Sequence, residues 1–306
     1  MILTLQLGNE PLRLIAILFL LASCTPKVEI LDKKKLSTSG YNENFKEYCG
    51  ESARNLSDKA ILASFVGDYQ NSVSYAAERN LLDFRLNTID EIENLKTIFE
   101  GYSCKNAKEH IIEESRNYHF TLINEAHYSS KNRVFTQSLL KPLWENGYRY
   151  LALEALGYND PNLNNRSFPT DKSGFYLKEI SFGNLVREAL SLGYKLVPYE
   201  TKIYDRGDTF RDQQQAQNLI AKTWQQDKKG KVLVHVGYGH LGEIGDDQYA
   251  PMGYQLKKMV GQDILTVDQQ TMLPLKEDKS HAYYQYASNI CEITQPIIFL
   301  KQNKKI

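Results

Sequence analysis

Thr121-Leu-Ile-Asn-Glu-Ala-His127 is a short apolar run that ends on a carboxylate and an imidazole two residues apart. Two later runs end in similar chemistry, Tyr150-Leu-Ala-Leu-Glu154 and Val232-Leu-Val-His-Val-Gly-Tyr-Gly-His240. Apolar runs of this length without clean alternation read as strands covered on both faces, as in a parallel sheet packed between helices. Ligands of open α/β sheets bind outside the carboxyl ends of the strands. Acid–base residue types recurring at that place in successive strands therefore predict one assembled site.

Working outward, the pattern predicts strands over 119–124, 148–153, 195–199, 231–236, 264–267 and 296–300. Helices fit between them. The segment 132–145 carries Val134, Phe135, Leu139, Leu140 and Leu143, with Pro142 expected to bend or shorten it. A second helix over 182–192 should stop at Gly193, and Asp208 should cap a third whose Ala216, Leu219, Ile220, Thr223 and Trp224 form one stripe. Before residue 118 the chain is rich in helix formers, with Ile89, Ile92, Leu95, Ile98 and Phe99 at helical spacing. The expected fold is α/β, a mostly parallel β-sheet flanked by helices, with an N-terminal helical extension.

The chain opens on an apolar run, Leu14-Ile-Ala-Ile-Leu-Phe-Leu-Leu21, too short to span a bilayer comfortably. It leads into Leu21-Ala-Ser-Cys24, which resembles a bacterial lipobox, and the resemblance implies a lipid on the Cys24 sulfur. The expected organisation is a signal peptide over 1–23, a lipid-linked tether over 24–59, a helical extension over 60–117 and the α/β domain over 118–306. The expected location is the cell envelope, lipid-anchored at the outer membrane. Among the remaining thiols, Cys49 and Cys104 are expected to pair, the alternative being buried free thiols at Cys49, Cys104 and Cys291. The 37 basic and 37 acidic residues cancel, which disfavours a nucleic-acid surface. A small-molecule or peptide substrate and the membrane are the expected partners.

Glu125, His127, Glu154 and His240 are the candidate catalytic residues, and the same four are the candidate ligands if a divalent metal is held. Alternation puts Glu125 and His127 on one side of their strand, close enough to share a proton. Arg133, Tyr199, Arg211, His235 and Tyr238 are candidate substrate-binding residues. Gly237 and Gly239 allow a tight turn, and the amides of 237–239 or the Arg211 guanidinium are expected to meet negative charge. The structural alternatives are ion pairs of Glu125 or Glu154 with Arg133 or Arg211, a hydrogen-bonded strand histidine at 235, and a helix-start cap at Arg211-Asp212. His110, His119 and His281 have no companion groups and are expected to lie away from the site.

Asn124-Glu-Ala-His127, a helix containing Arg133, Leu151-Ala-Leu-Glu154 and Val236-Gly-Tyr-Gly-His-Leu241 resemble motifs of the erythromycin-esterase, ChaN-like haem-uptake and Tiki/TraB protease families. The similarity covers roughly residues 118–270. Asn124 stands where the pattern has glycine, and the Glu-to-His spacing is one residue shorter. The esterase-like resemblance implies a metal-independent hydrolase of a small polar ester or amide, and the Tiki-like one implies the same residues around a divalent metal. The ChaN-like resemblance implies instead a lipoprotein that binds haem through a tyrosine or histidine.

Overall fold

The structure, a computed structural model, describes residues 55–78, 89–203, 206–246, 248–270 and 282–301. These fall within one compact unit, Cys49–Ile306. The leader, Cys24, nearly all of the tether, Cys49 and His281 lie outside the described residues.

A helical hairpin, α1 (Leu56–Phe65) and α2 (Tyr69–Glu78), is followed by α3 (Ile89–Ile98), β1 (Tyr102–Asn106) and α4 (Ala107–Glu114). Strands and helices then alternate through β2 (Phe120–Glu125), α5 (Ser130–Glu145), β3 (Tyr148–Leu153), the short α6 (Leu163–Arg166), α7 (Ile180–Leu192), β4 (Lys195–Pro198) and α8 (Asp208–Lys222). The chain continues with β5 (Lys231–Gly237), α9 (Met252–Val260), β6 (Leu265–Val267), α10 (Ala282–Ile290) and β7 (Ile297–Lys301).

Five of these strands form an all-parallel sheet in the order β4-β3-β5-β2-β6, so the fold is α/β as expected. The chain runs outward from β2 to β3 and β4, then returns to insert β5 between β3 and β2. That reversal places α5 and α7 on one face and α8 and α9 on the other. Ile123, Leu151, Leu153 and Leu233 pack under Leu139, Leu140, Leu143, Phe182, Leu185 and Val186 on the first face. Phe120, Leu122, Ala152, Val232, Val234 and Val236 meet Ala216, Leu219, Met252 and Leu256 on the second. Each leucine-sized side chain buried this way stabilises the fold by about 1.5–3 kcal/mol. Ile123 and Leu153 both stand level with His235, and Glu125 with Gly237, so β2, β5 and β3 end together.

Two expectations are corrected. Residues 102–106 are not helical: Tyr102-Ser-Cys-Lys-Asn106 forms β1, which pairs antiparallel with β7 in a separate two-stranded sheet. The strand expected at 296–300 therefore does not join the main sheet. Cys104 is bonded to Cys291, not Cys49; their Cα atoms are 6.7 Å apart, within disulfide reach. Ala107 and Ile111 of α4 pack in the α5–α7 core, and β1 is held by β7, about 190 residues later in the sequence.

Helix ends follow local chemistry. α7 stops at Gly193, whose φ of +98° suits glycine and whose Cα faces the Trp144 ring. α8 begins with Asp208 as its first residue, because Gly207 at φ +81° takes the cap position. α5 runs through Pro142 to Glu145 rather than shortening before it. No helix among the described residues is long and apolar enough to cross a membrane.

Candidate active site

Above the level ends of β2, β5 and β3 lies a cleft of about 530 Å³. Glu125, His127, Glu154 and His240 all line it, and so do Arg211, His235 and Tyr238. The structure thus brings together seven of the nine side chains singled out in the sequence. Arg133 and Tyr199 are the exceptions, both fully buried and off the cleft wall. Tyr199 turns into the core beside α8 and donates its hydroxyl to the His235 carbonyl at 3.3 Å. Neither reaches a ligand.

Arg133 instead anchors one half of the site. Glu125 ends β2 on the α5–α7 face, where Arg133 from the first turn of α5 grips it through Nε to Oε2 at 2.7 Å and Nη2 to Oε1 at 3.0 Å. The same guanidinium donates to the His127 carbonyl at 2.8 Å and to Glu179 Oε2 at 3.1 Å. Glu179 caps α7 by accepting from the amides of Ser181 and Phe182, and it also accepts from the Tyr69 hydroxyl at 3.0 Å. Burial opposes charge on Glu125, yet Arg133 and the hydrogen bonds from His127 and His235 hold its pKa well below the ordinary value.

An ionised Glu125 only accepts hydrogen bonds, which fixes two tautomers. His127 Nδ1, 3.1 Å from Glu125 Oε1, carries a hydrogen, and so does His235 Nε2, 2.9 Å from Oε2. His235 Nδ1 then meets the Thr136 hydroxyl at 3.2 Å. Neutral His127 therefore keeps its lone pair on Nε2. Its ring is stacked on Tyr176 with centroids 4.5 Å apart and meets the edge of Tyr238 at 4.7 Å. The space for a β-carbon on Gly237 lies 3.0 Å from both His127 Nε2 and Glu154 Oε2, so those two atoms are within about 6 Å of each other.

The second half gathers around Arg211, near the start of α8. Its guanidinium pairs with Glu154 and Glu200, and its Nη1 lies 2.9 Å from His240 Nε2. His240 Nδ1 is bonded to Asp212. Burial lowers the proton affinity of His240, but the hydrogen bond its Nδ1 donates to Asp212 and the charges of Glu154 and Asp212 outweigh it and raise the pKa. In the neutral ring Nε2 accepts from Arg211. Once protonated it must turn its hydrogen toward Glu154 Oε1, 3.6 Å away. Glu154 is itself held ionised: burial opposes the charge, and His240, His127, Arg211 and the Gly237 amide overcome it.

Of the groups expected to meet negative charge, the Gly237 amide is bonded to Glu154 Oε2 at 2.6 Å. Arg211 places four of its five hydrogens on Glu154, Glu200 and His240. Glu179 and Tyr176 were not singled out, Glu200 was not among the named site residues, and Asp212 was named only with Arg211 as a helix-start cap. Glu200 follows β4 as Glu154 follows β3, so its position was a usable signal, and an acid just before a helix start hinted at Glu179. Tyr176 left no local trace. His110 and His119 lie away from the cleft, as expected.

No three His, Cys, Asp or Glu side chains among the described residues are arranged to hold a metal ion. The donor chemistry explains this: Glu125 and Glu154 are each paired with a guanidinium, which puts positive charge where a cation would sit.

Fold and site together define a parallel α/β protein whose cleft holds three carboxylate-bound imidazoles. No family model and no curated protein matches the sequence. Among solved structures, one described as bacterial protein toxins is 16% identical, with a TM-score of 0.41 over 68% of this chain and 47% of that one. The type III effector HopBA1 is 9% identical, with a TM-score of 0.38 over 57% and 91%. The C-terminal region of Pasteurella multocida toxin, described as having a thiol-protease-like catalytic triad, is 15% identical, with a TM-score of 0.40 over 68% and 31%. The chain spans about half the length of the first of these. These likenesses are too distant to transfer a residue or an activity.

Proposed function

We propose that this chain is a lipid-anchored envelope hydrolase, of the erythromycin-esterase, ChaN and Tiki kind, that cleaves a small polar ester or amide by histidine acid–base chemistry. The observation that carries the proposal is the state of His127. Ionised Glu125 holds its Nδ1 hydrogen, so Nε2 presents a lone pair beside Glu154 in a cleft. Imidazole titrates near neutrality, and a positioned base of this kind contributes about 10²–10⁴-fold.

In this reading His127 Nε2 takes a proton from water as the water oxygen bonds to the substrate carbonyl carbon. Glu125 stabilises the imidazolium that forms. When the tetrahedral adduct collapses, the bond to the leaving oxygen or nitrogen breaks and that atom takes a proton from His240 Nε2. Asp212 and Glu154 raise the proton affinity of His240, so it suits the acid role. Transfer of the His127 proton back through water to His240 closes the cycle.

The test is turnover of an ester, amide and peptide panel by the wild type, His127→Ala and His240→Ala. The proposal expects native circular dichroism in all three and a loss of about 10²–10⁴-fold in kcat/KM for each variant. Wild-type turnover in both variants would exclude these groups. A purified protein with a Soret band and no turnover across the panel would favour the haem-binding alternative.

A further inference from the structure

We infer that the substrate of this cleft carries a positive charge, as a protonated amine or guanidinium, on the ester or amide to be cleaved. The inference deepens the hydrolase reading and rests on it for the protonation state of the base. Five carboxylates form the site and its immediate support, Glu125, Glu154, Glu179, Glu200 and Asp212. Among the described residues two guanidiniums, Arg133 and Arg211, pair with them, which leaves three negative charges on this set when the imidazoles are neutral. The three imidazoles His127, His235 and His240 could cancel this only if all were protonated. A general base must be unprotonated to act. Every working form of the site is therefore negative, and low-dielectric walls focus that field on the cleft.

The hydrogen-bond inventory locates the free acceptor. Glu125 accepts from Arg133 twice, from His127 and from His235. Glu200 accepts from Arg211 twice, from the Thr201 amide and from Gln215. A carboxylate has about four lone-pair positions, so both are filled. Glu154 accepts a close hydrogen bond only from Arg211 and the Gly237 amide. It is the carboxylate on the wall with capacity left for a donor on a ligand. Phe175 and Tyr176 line the same cleft, and an ammonium over an aromatic face gains from the ring quadrupole. Lys178 already sits over the Phe175 ring, 5.5 Å from its centroid. An anionic substrate would meet the same field, with the Arg211 guanidinium already paired with two carboxylates.

The inference is tested by binding, independently of turnover. The full-length protein is titrated at low salt with three matched probes, 4-phenylbutylamine, 4-phenylbutanol and 4-phenylbutyrate, by calorimetry and through the histidine Cε1–H resonances. The amine is expected to bind at least about tenfold tighter than the butyrate, with the preference shrinking as salt rises. Glu200→Gln, which removes one charge from the cleft wall, is expected to reduce that preference several-fold. Equal or tighter binding of the butyrate, absence of binding by all three, or an unchanged preference in Glu200→Gln overturns the inference. The two proposals fail separately. Amine-selective binding with no turnover on any ester, amide or peptide counts against the hydrolase, whereas turnover without amine preference counts against the cation.

Discussion

At Gly237 a β-carbon would stand 2.6 Å from His127 Cε1 and 3.0 Å from Glu154 Oε2. Neither neighbour can yield cheaply, because Glu125 holds the imidazole and Arg211 holds the carboxylate. The backbone φ of −81° at Gly237 is open to any residue, so the requirement is purely one of space. Gly237→Ala is expected to push the His127 ring out of line. A misplacement of about 1 Å costs on the order of 10²-fold in rate, and overpacking costs about 1–3 kcal/mol of stability. Gly239, which has nothing within 4 Å of its own β-carbon position, is the matched control, and Gly239→Ala should stay within about twofold of wild type. Comparable kcat/KM in the two variants would show that the close approach at Gly237 has no part in catalysis. Two residues along the same turn, the contrast between a filled and an empty space becomes a measurement.

At the scale of elements, the half-site on the α5–α7 face is a chain of buried charges joining strand, helix and helix cap. Removing one member of such a chain costs about 3–5 kcal/mol, since it strands the others without a partner. Its pH dependence has a definite sign. Glu125 has a pKa lowered on folding, so its contribution is complete above its ordinary value of 4.5 and fades as pH falls toward the folded value. Wild-type unfolding free energy is therefore expected to drop between about pH 5 and pH 3, and Glu125→Gln, less stable at pH 7, should lose less over that interval. Parallel curves from denaturant titrations would mean that Glu125 is not the linked group. The strands that place this network were legible because Leu122, Ile123, Leu151 and Val234 are apolar on both faces, and Gly193 announced a helix end. Glu179 was not legible as a site residue. Its meaning comes from Arg133, 46 residues away, and from a fold that brings α5 against α7. β1 was missed for the same reason, since its pairing partner lies at residues 297–301.

At the scale of the molecule, the N-terminal hairpin is part of the site's support rather than an appendage. Ala60 and Ala76 pack with Ala126 and Tyr128, the Ser72 hydroxyl donates to the Tyr128 carbonyl at 3.0 Å, and Tyr69 reaches Glu179. The loop that carries His127 is thus held from two sides, by Arg133 and by the hairpin. A covalent bond between Cys104 and Cys291, 187 residues apart in sequence, ties β1 to the residue that follows α10. Anchoring and chemistry are then separable, because the site is complete within residues that follow the tether. Cys24→Ala is expected to leave the protein as an unprocessed precursor or to shift it from the membrane to the soluble fraction, since one buried lipid chain contributes about 0.8 kcal/mol per methylene and nothing else described here spans a bilayer. Its kcat/KM on any substrate the panel reveals should stay within about twofold of the anchored protein. Fractionation and assay of the same preparation decide the matter: normal processing with membrane retention would remove the anchor from Cys24, and lost turnover in a folded, soluble variant would show that the lipid or the bilayer takes part in presenting the substrate.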